Sequence, residues 1–264
     1  MGPFSILGAI GPLARTIGDV RLLFQAFSGQ DPLDPVSPPV ALKNPSPDKL
    51  CAKAIADFEG DGHVPATEGT HAAASDAARA LRDASFRVEP FRPRNLEQLS
   101  KLWWMFFVRC GAIFYEPEIR SKQERLSPIF KKFLSIAEAS RPINATQLLN
   151  AWAELDLLRR KALAEMNEHP VLLCPVASIP AFHHDERMWT VEGSSVHYLD
   201  AVRYTQWFNS LACPVAVVPL NASSEELPIG VPIVTWPFED EIALGVAALV
   251  DAAFGYRPPP MALA

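Results

Sequence analysis

The stretch from Gly8 to Gly29 constrains this chain's fold more than any other. Gly8, Gly11 and Pro12 interrupt regular structure, so the backbone must reach Thr16 through a tight loop. Thr16 is an N-cap residue type, and Asp19 stands three positions on, the spacing of a capping box. Ile17, Val20, Leu23, Phe24 and Phe27 then recur at helical spacing, and Gly29 stands where a C-terminal cap belongs. This pattern predicts a buried amphipathic helix delivered from a glycine-proline loop.

With 264 residues, of which 49% are hydrophobic and 20% charged, the chain is long enough for a sizeable core and ordinary for a soluble globular protein. A formal charge of -6 gives no electrostatic reason to expect nucleic acid or an anionic membrane as a partner. Lys122, Arg125, Lys131 and Lys132 are the densest basic group, and with Glu124 among them they read as a solvated helix face. Cys51, Cys110, Cys174 and Cys213 form no C-x-x-C pair and sit in apolar or strand-like contexts, so free, mostly buried thiols in a reducing compartment are expected. The opening residues resemble no signal peptide, and no uninterrupted transmembrane run follows; a cytoplasmic location is the expectation.

Six prolines between residues 30 and 50 mark an extended surface connection. Thr70–Ala84 reads as an alanine-rich helix, and Phe86-Arg87-Val88-Glu89 as a short strand. Leu96–Tyr115 is apolar and aromatic on too many sides for a simple amphipathic stripe, so it is expected to be core or cavity wall. Ile129–Ala139 reads as a helix. Thr146–Asn167 is the longest clean one, capped by Thr146 and packed through Leu148, Leu149, Trp152, Leu155, Leu163 and Met166. Val171–Cys174, Val215–Val218 and Ile233–Thr235 are strand candidates, and Glu239-Asp240-Glu241 opens a closing helix through Phe254. Unalternating strands interleaved with helices indicate an α/β sheet covered on both faces.

Gly11-Pro12-Leu13-Ala14-Arg15-Thr16-Ile17-Gly18-Asp19-Val20, followed by Gly29-Gln30-Asp31-Pro32-Leu33-Asp34-Pro35, resembles the amidase signature family of serine amidohydrolases. Further blocks follow in the family's order: Asp61-Gly62-His63-Val64-Pro65, His169–Pro175, Phe208–Pro219, then Leu227–Val231 with Pro237–Glu241. Three places depart from the pattern, the first being Lys53–Phe58, a poor version of the family's Ile-Gly strand. Ala212 stands where the family usually has Gly, a mild change if φ stays negative, and Pro232, where Gln is common, would demote its strand locally. The resemblance implies an α/β/α sandwich around a mixed β-sheet, of which residues 1–264 are the C-terminal part of a single domain. It also implies hydrolysis of a small-molecule amide without metal or organic cofactor.

Family members use a Ser–Ser–Lys arrangement: a nucleophilic serine, a second serine in a cis peptide that relays its proton to a neutral lysine, and a glycine-rich oxyanion loop. All of these precede the Gly-Pro-Leu-Ala-Arg block. Ahead of it this chain offers Ser5 without a glycine cradle, so no catalytic residue is assigned and the chain alone is expected to be inactive. An amidase-like scaffold or binding protein is the alternative. An independent hydrolase built on Ser195 or Cys174 is a third reading. Gly193-Ser194-Ser195 reads as a polar turn, and Ser195, His197 and Asp200 lack the Gly-x-Ser-x-Gly elbow. His183-His184-Asp185-Glu186 is too local to converge on one metal ion. By resemblance the substrate-access region falls on 103–107, which makes Trp104, Met105 and Phe107 the candidate substrate-binding residues beside the alternative of plain core. Such a pocket takes a bulky apolar group, and Arg109 brings a charge to it. Without its amino-terminal strands the chain would expose a sheet edge and an apolar face, so association, including homo-oligomerisation, is expected.

Overall fold

The computed structural model describes residues 7–34, 37–139, 142–222 and 227–255. Its strands are β1 (Ile55–Asp57), β2 (Val88–Pro90), β3 (Val171–Leu173), β4 (Met188–Val191), β5 (Ser194–His197), β6 (Val215–Ala222) and β7 (Pro228–Thr235). Five form one sheet in the order β2-β1-β3-β7-β6, while β4 and β5 make a separate hairpin. β1 is parallel to β2 and β3, and β7 runs antiparallel to both β3 and β6. This is the mixed sheet of an α/β fold.

The helices are α1 (Ile17–Phe27), α2 (Pro47–Cys51), α3 (Glu68–Asp83), α4 (Leu96–Trp103), α5 (Gly111–Ile119), α6 (Pro128–Ala139), α7 (Ala145–Glu165), α8 (Tyr198–Ala201), α9 (Arg203–Leu211) and α10 (Asp240–Phe254). On one face of the sheet, Ala73, Ala77 and Leu81 of α3 and Val246 and Ala247 of α10 pack against Val218, Val231 and Ile233. On the other face, Leu99 of α4, Leu155 of α7 and Trp207 of α9 pack against Ala56, Leu172 and Val234. Ile55 and its neighbour Ala56 are fully buried on opposite faces, as in a strand covered on both sides.

Several local expectations change. Thr16 caps α1, its Oγ accepting from the Asp19 amide at 3.1 Å. The Asp19 carboxylate, however, accepts from the Thr16 hydroxyl at 2.9 Å rather than closing a box on its backbone. Ser28 occupies the C-cap position, with Gly29 following at φ 146°. α1 is not buried along its apolar stripe: Ile17 is, but Val20, Leu23 and Phe24 are half-buried and Leu22 and Phe27 exposed. The cap of α7 is Asn144, not Thr146, because Asn144 and Gln147 have the reciprocal spacing and satisfy each other's backbone amides. Its packed face is Ala151, Leu155, Leu158 and Ala162, and Leu149 lies in solvent. The thiols are all free; Cys174 is buried and the other three are half-buried.

Pro232 does not demote β7, which runs unbroken and pairs Pro232 with Val217. A proline has no N–H to exchange, so this must be a non-hydrogen-bonded pair across to β6. Its nitrogen therefore faces β3, whose pairing with β7 ends at Leu173 opposite Ile233. No ladder bond is lost. Ala212 goes the other way: its φ of 56° and ψ of 37° are left-handed, so the side chain there is strained.

Candidate functional site

Helix α4 does not stop at Trp103 but widens into a π-helical stretch, Trp104–Cys110, before α5 resumes α-helical bonding. π-Helical turns are uncommon and concentrate at functional positions. The wider turn divides the aromatic run. Phe106 and Val108 are buried in the core, with Phe106 against Trp152 of α7 at a ring distance of 4.5 Å. Phe107 stacks on Trp103, centroids 5.4 Å apart and planes 16° from parallel. Trp104 and Met105 instead line a groove of about 540 Å³.

Lys101, Leu102 and Arg109 continue that wall, and Gln147, Asn150, Ala151 and Glu154 of α7 form the opposite one. The Arg109 guanidinium lies 3.7 Å from the Met105 sulfur, which brings the charge to the groove. Lys101 reaches Glu97 at 3.6 Å. An indole and a thioether give an adaptable apolar surface, while amide side chains both donate and accept hydrogen bonds. The groove thus sets an apolar patch beside amide and charged side chains. Trp104 and Met105 are thus together at one surface, and Phe107 is not among its lining residues. The α7 wall, some forty residues downstream, has no local signature in sequence.

A second cleft, of about 600 Å³, runs along β6 between Ile10 and Leu13 on one side and Phe208, Asn209 and Cys213 on the other. Burial pushes the Cys213 thiol up to about 12 despite the opposing Arg159 charge, and burial also raises that of Cys174. Neither thiol is a ready nucleophile near neutral pH.

The remaining candidates are dispersed. Glu192 and Gly193, at φ 48° and 77°, form the turn of the β4–β5 hairpin, so Ser194 and Ser195 are exposed strand residues. His197 Nδ1 accepts from the Leu199 amide at 3.4 Å, capping α8 rather than serving a serine. Among the described residues, no serine hydroxyl is hydrogen-bonded to a lysine or histidine side chain, and no group of three or more His, Cys, Asp or Glu is placed to hold a metal ion. Ser5 lies outside the described residues. Among them, too, no helix is long and apolar enough to cross a membrane.

Sequence reasoning missed one charged network. Asp61 is buried, its Oδ1 accepts from the His63 and Val64 amides at 2.8 and 2.9 Å, and its Oδ2 accepts from Arg203 Nε at 2.6 Å. Arg203 also donates to Glu97, and Arg92 donates to the Asp61 carbonyl. Tyr204 donates to the Val64 carbonyl at 2.8 Å, its hydroxyl pushed up to about 12 by burial and then by Asp61. The hydrogen bond from Arg203 holds Glu97 below the usual carboxylate range. Burial works against the Arg203 charge, but bonds to Glu97 and Asp61 outweigh it. The network ties the loop after β1 to α4 and α9, fixing the helix that leads into the groove. The Asp61-Gly62 pair is the signal that could have found it, since Gly62 has φ 73° and a Cβ there would run into the Arg92 guanidinium.

Comparison with known proteins gives one consistent result. The Amidase family model matches residues 2–244. An indoleacetamide hydrolase from Bradyrhizobium diazoefficiens is 27% identical over 254 residues, covering 95% of this chain and 47% of the relative. A solved structure described as a vestigial protein complex that reveals the origins of an s-triazine catabolic enzyme superposes with TM-score 0.77 at 22% identity, over 92% of this chain and 52% of the other. 6-Aminohexanoate cyclic dimer hydrolase, solved with its substrate, superposes with TM-score 0.73 at 20% identity, over 91% of this chain and 54% of that one. The chain spans about half the length of the curated relatives it matches.

Proposed function

Because the chain belongs to the amidase family, we propose that it is one portion of a single amidase domain whose complete form hydrolyses the C–N bond of a small carboxamide. In this reading the nucleophile and its base come from the portion of the relatives that this chain does not span. Residues 7–255 contribute the scaffold and a substrate-recognition groove.

The observation that carries the reading is the match over residues 2–244, taken with a groove in which Trp104 and Met105 face amide side chains. A carboxamide bearing an aryl or alkyl group fits that chemistry, with its apolar body against the indole and thioether and its amide paired with Gln147 or Asn150. The test is ammonia release from aryl and aliphatic amides by the complete protein carrying Trp104→Ala. The expected result is a raised KM for aryl amides, about tenfold or more for lost aromatic burial, with little change for acetamide. An equal effect on both substrates would show that Trp104 does not contact the apolar group. A complete protein that binds amides but releases no ammonia would favour the scaffold reading.

A further inference from the structure

We propose that the groove lined by Trp104 and Met105 selects amides that carry a carboxylate on their apolar body, with Arg109 as the specificity-determining residue and Lys101 reinforcing it. This names a substrate class for the same groove and rests on the proposed function.

Charge is unevenly placed around the groove. The wall built by α4 and its π-helical continuation carries Lys101 and Arg109, while the acidic lining residue, Glu154, stands on the α7 wall. The chain as a whole has a formal charge of -6, so a wall with two cations and no lining carboxylate departs from its average surface. The helix widening accounts for the place of Arg109. In an α-helix, residues five apart point about 140° away from one another, which would turn Arg109 away from Trp104. The i→i+5 bonding of a π-helical turn brings such residues nearly into line, and here both line the groove. Among the contacts of Arg109 is the Met105 sulfur at 3.7 Å, and a thioether is a far weaker acceptor than a carboxylate.

Lys101 adds a second positive charge that its own partner offsets only in part. Its ammonium lies 3.6 Å from Glu97 Oε1, but the lysine side chain is 71% exposed, and such a pair is worth little. Glu97 is also shared: Arg203 donates to its other oxygen, and His63 Nε2 lies 3.9 Å from that same oxygen. The α4 wall therefore attracts an anion, and Glu154 on the opposite wall repels one. Together they orient a ligand. Its carboxylate meets the Arg109 guanidinium, whose planar fork matches two carboxylate oxygens. Its ring lies on the Trp104 indole, and its amide points to Gln147 and Asn150. A neutral ligand of the same shape gains the indole contact and forgoes the charge.

The test is calorimetric titration of the 264-residue chain with 4-carboxyphenylacetamide and with 4-nitrophenylacetamide, whose nitro group has the carboxylate's planar shape without its charge. The carboxylate is expected to bind about tenfold more tightly at low salt, with the preference shrinking as salt is raised. Arg109→Gln should abolish the preference, Arg109→Lys should restore part of it, and Lys101→Gln should lower it about twofold. Binding of the nitro compound should stay as in the unaltered chain throughout, which shows that the groove is still formed. The inference is overturned if the two ligands bind equally, if neither binds, or if the preference survives Arg109→Gln. Equal weakening of both ligands by Arg109→Gln overturns it too, since that marks a structural role alone. Ammonia release from the chain assembled with the remaining amidase portion separates the two proposals. A carboxylate preference without hydrolysis sinks the amide-hydrolase reading and leaves anion recognition standing, whereas hydrolysis without the preference does the reverse.

Discussion

Replacing Ala212 with glycine should stabilise this chain. Ala212 follows α9 at φ 56° and ψ 37°. Its amide donates to the Asn209 carbonyl at 3.2 Å, and the next amide, Cys213, donates to Phe208 at 3.2 Å. These are the two bonds of a Schellman closure, a turn that requires a left-handed residue at this position. An L side chain there costs about 1–2 kcal/mol, and glycine gives back about 0.4–1 kcal/mol through its larger unfolded-state entropy. The balance is a gain of about 0.5–1 kcal/mol, or roughly 1–4 °C in Tm for a chain near this size. Reversible urea melts read it directly, with Ala153→Gly as the control: Ala153 is exposed in the interior of α7, where glycine should cost about 1 kcal/mol. If Ala212→Gly destabilises as much as Ala153→Gly, position 212 is not left-handed and the account of how α9 turns into β6 fails. The turn sets Phe208 and Cys213 on the wall of the β6 cleft.

Asp61→Ala should cost about 3–5 kcal/mol in urea denaturation, because it leaves the largely buried Arg203 without the more buried of its two carboxylates and frees two loop amides; a loss under 1 kcal/mol would show that the network is not closed in solution. Glu97 titrates below its unfolded value, so its contribution is present above about pH 4.3, the unfolded carboxylate value, and is lost as pH falls through the lowered folded value. Glu97→Gln should therefore flatten the acid limb of stability against pH, and an unchanged limb would contradict the pairing. Among the thiols, Cys51 should react first with a disulfide reagent, and Cys174 only on unfolding, since it is fully buried and its ionisation is suppressed; mass spectrometry of timed labelling checks the order.

Much of the fold was legible because its signals are local. Thr16, the alanine face of α3 and the apolar run of β3 each announce their element within a few residues. Where two local signals compete, geometry decides: Asn144 and Thr146 are both caps by type, but only Asn144 has Gln147 three residues on. The β4–β5 hairpin was invisible because Glu192, which adopts a left-handed turn conformation, is not a residue that advertises one. The groove was half legible. An aromatic run that is apolar on every side signals core or cavity, but which side chains face which depends on the π-helical widening at Trp104, and that leaves no periodic mark. The opposite wall and the Asp61–Arg203 pair, 142 positions apart, are products of tertiary packing. The exposed stripe of α1 shows the converse: sequence gives an apolar face but not what covers it.

The most direct test of the central claim is ammonia release from a panel of aryl and aliphatic amides by the purified 264-residue chain, measured beside the same chain assembled with the remaining amidase portion. The expected result is hydrolysis by the assembly and none by the chain alone. Turnover by the chain alone that disappears in Ser195→Ala or Cys174→Ala would place the chemistry within these residues and contradict the account.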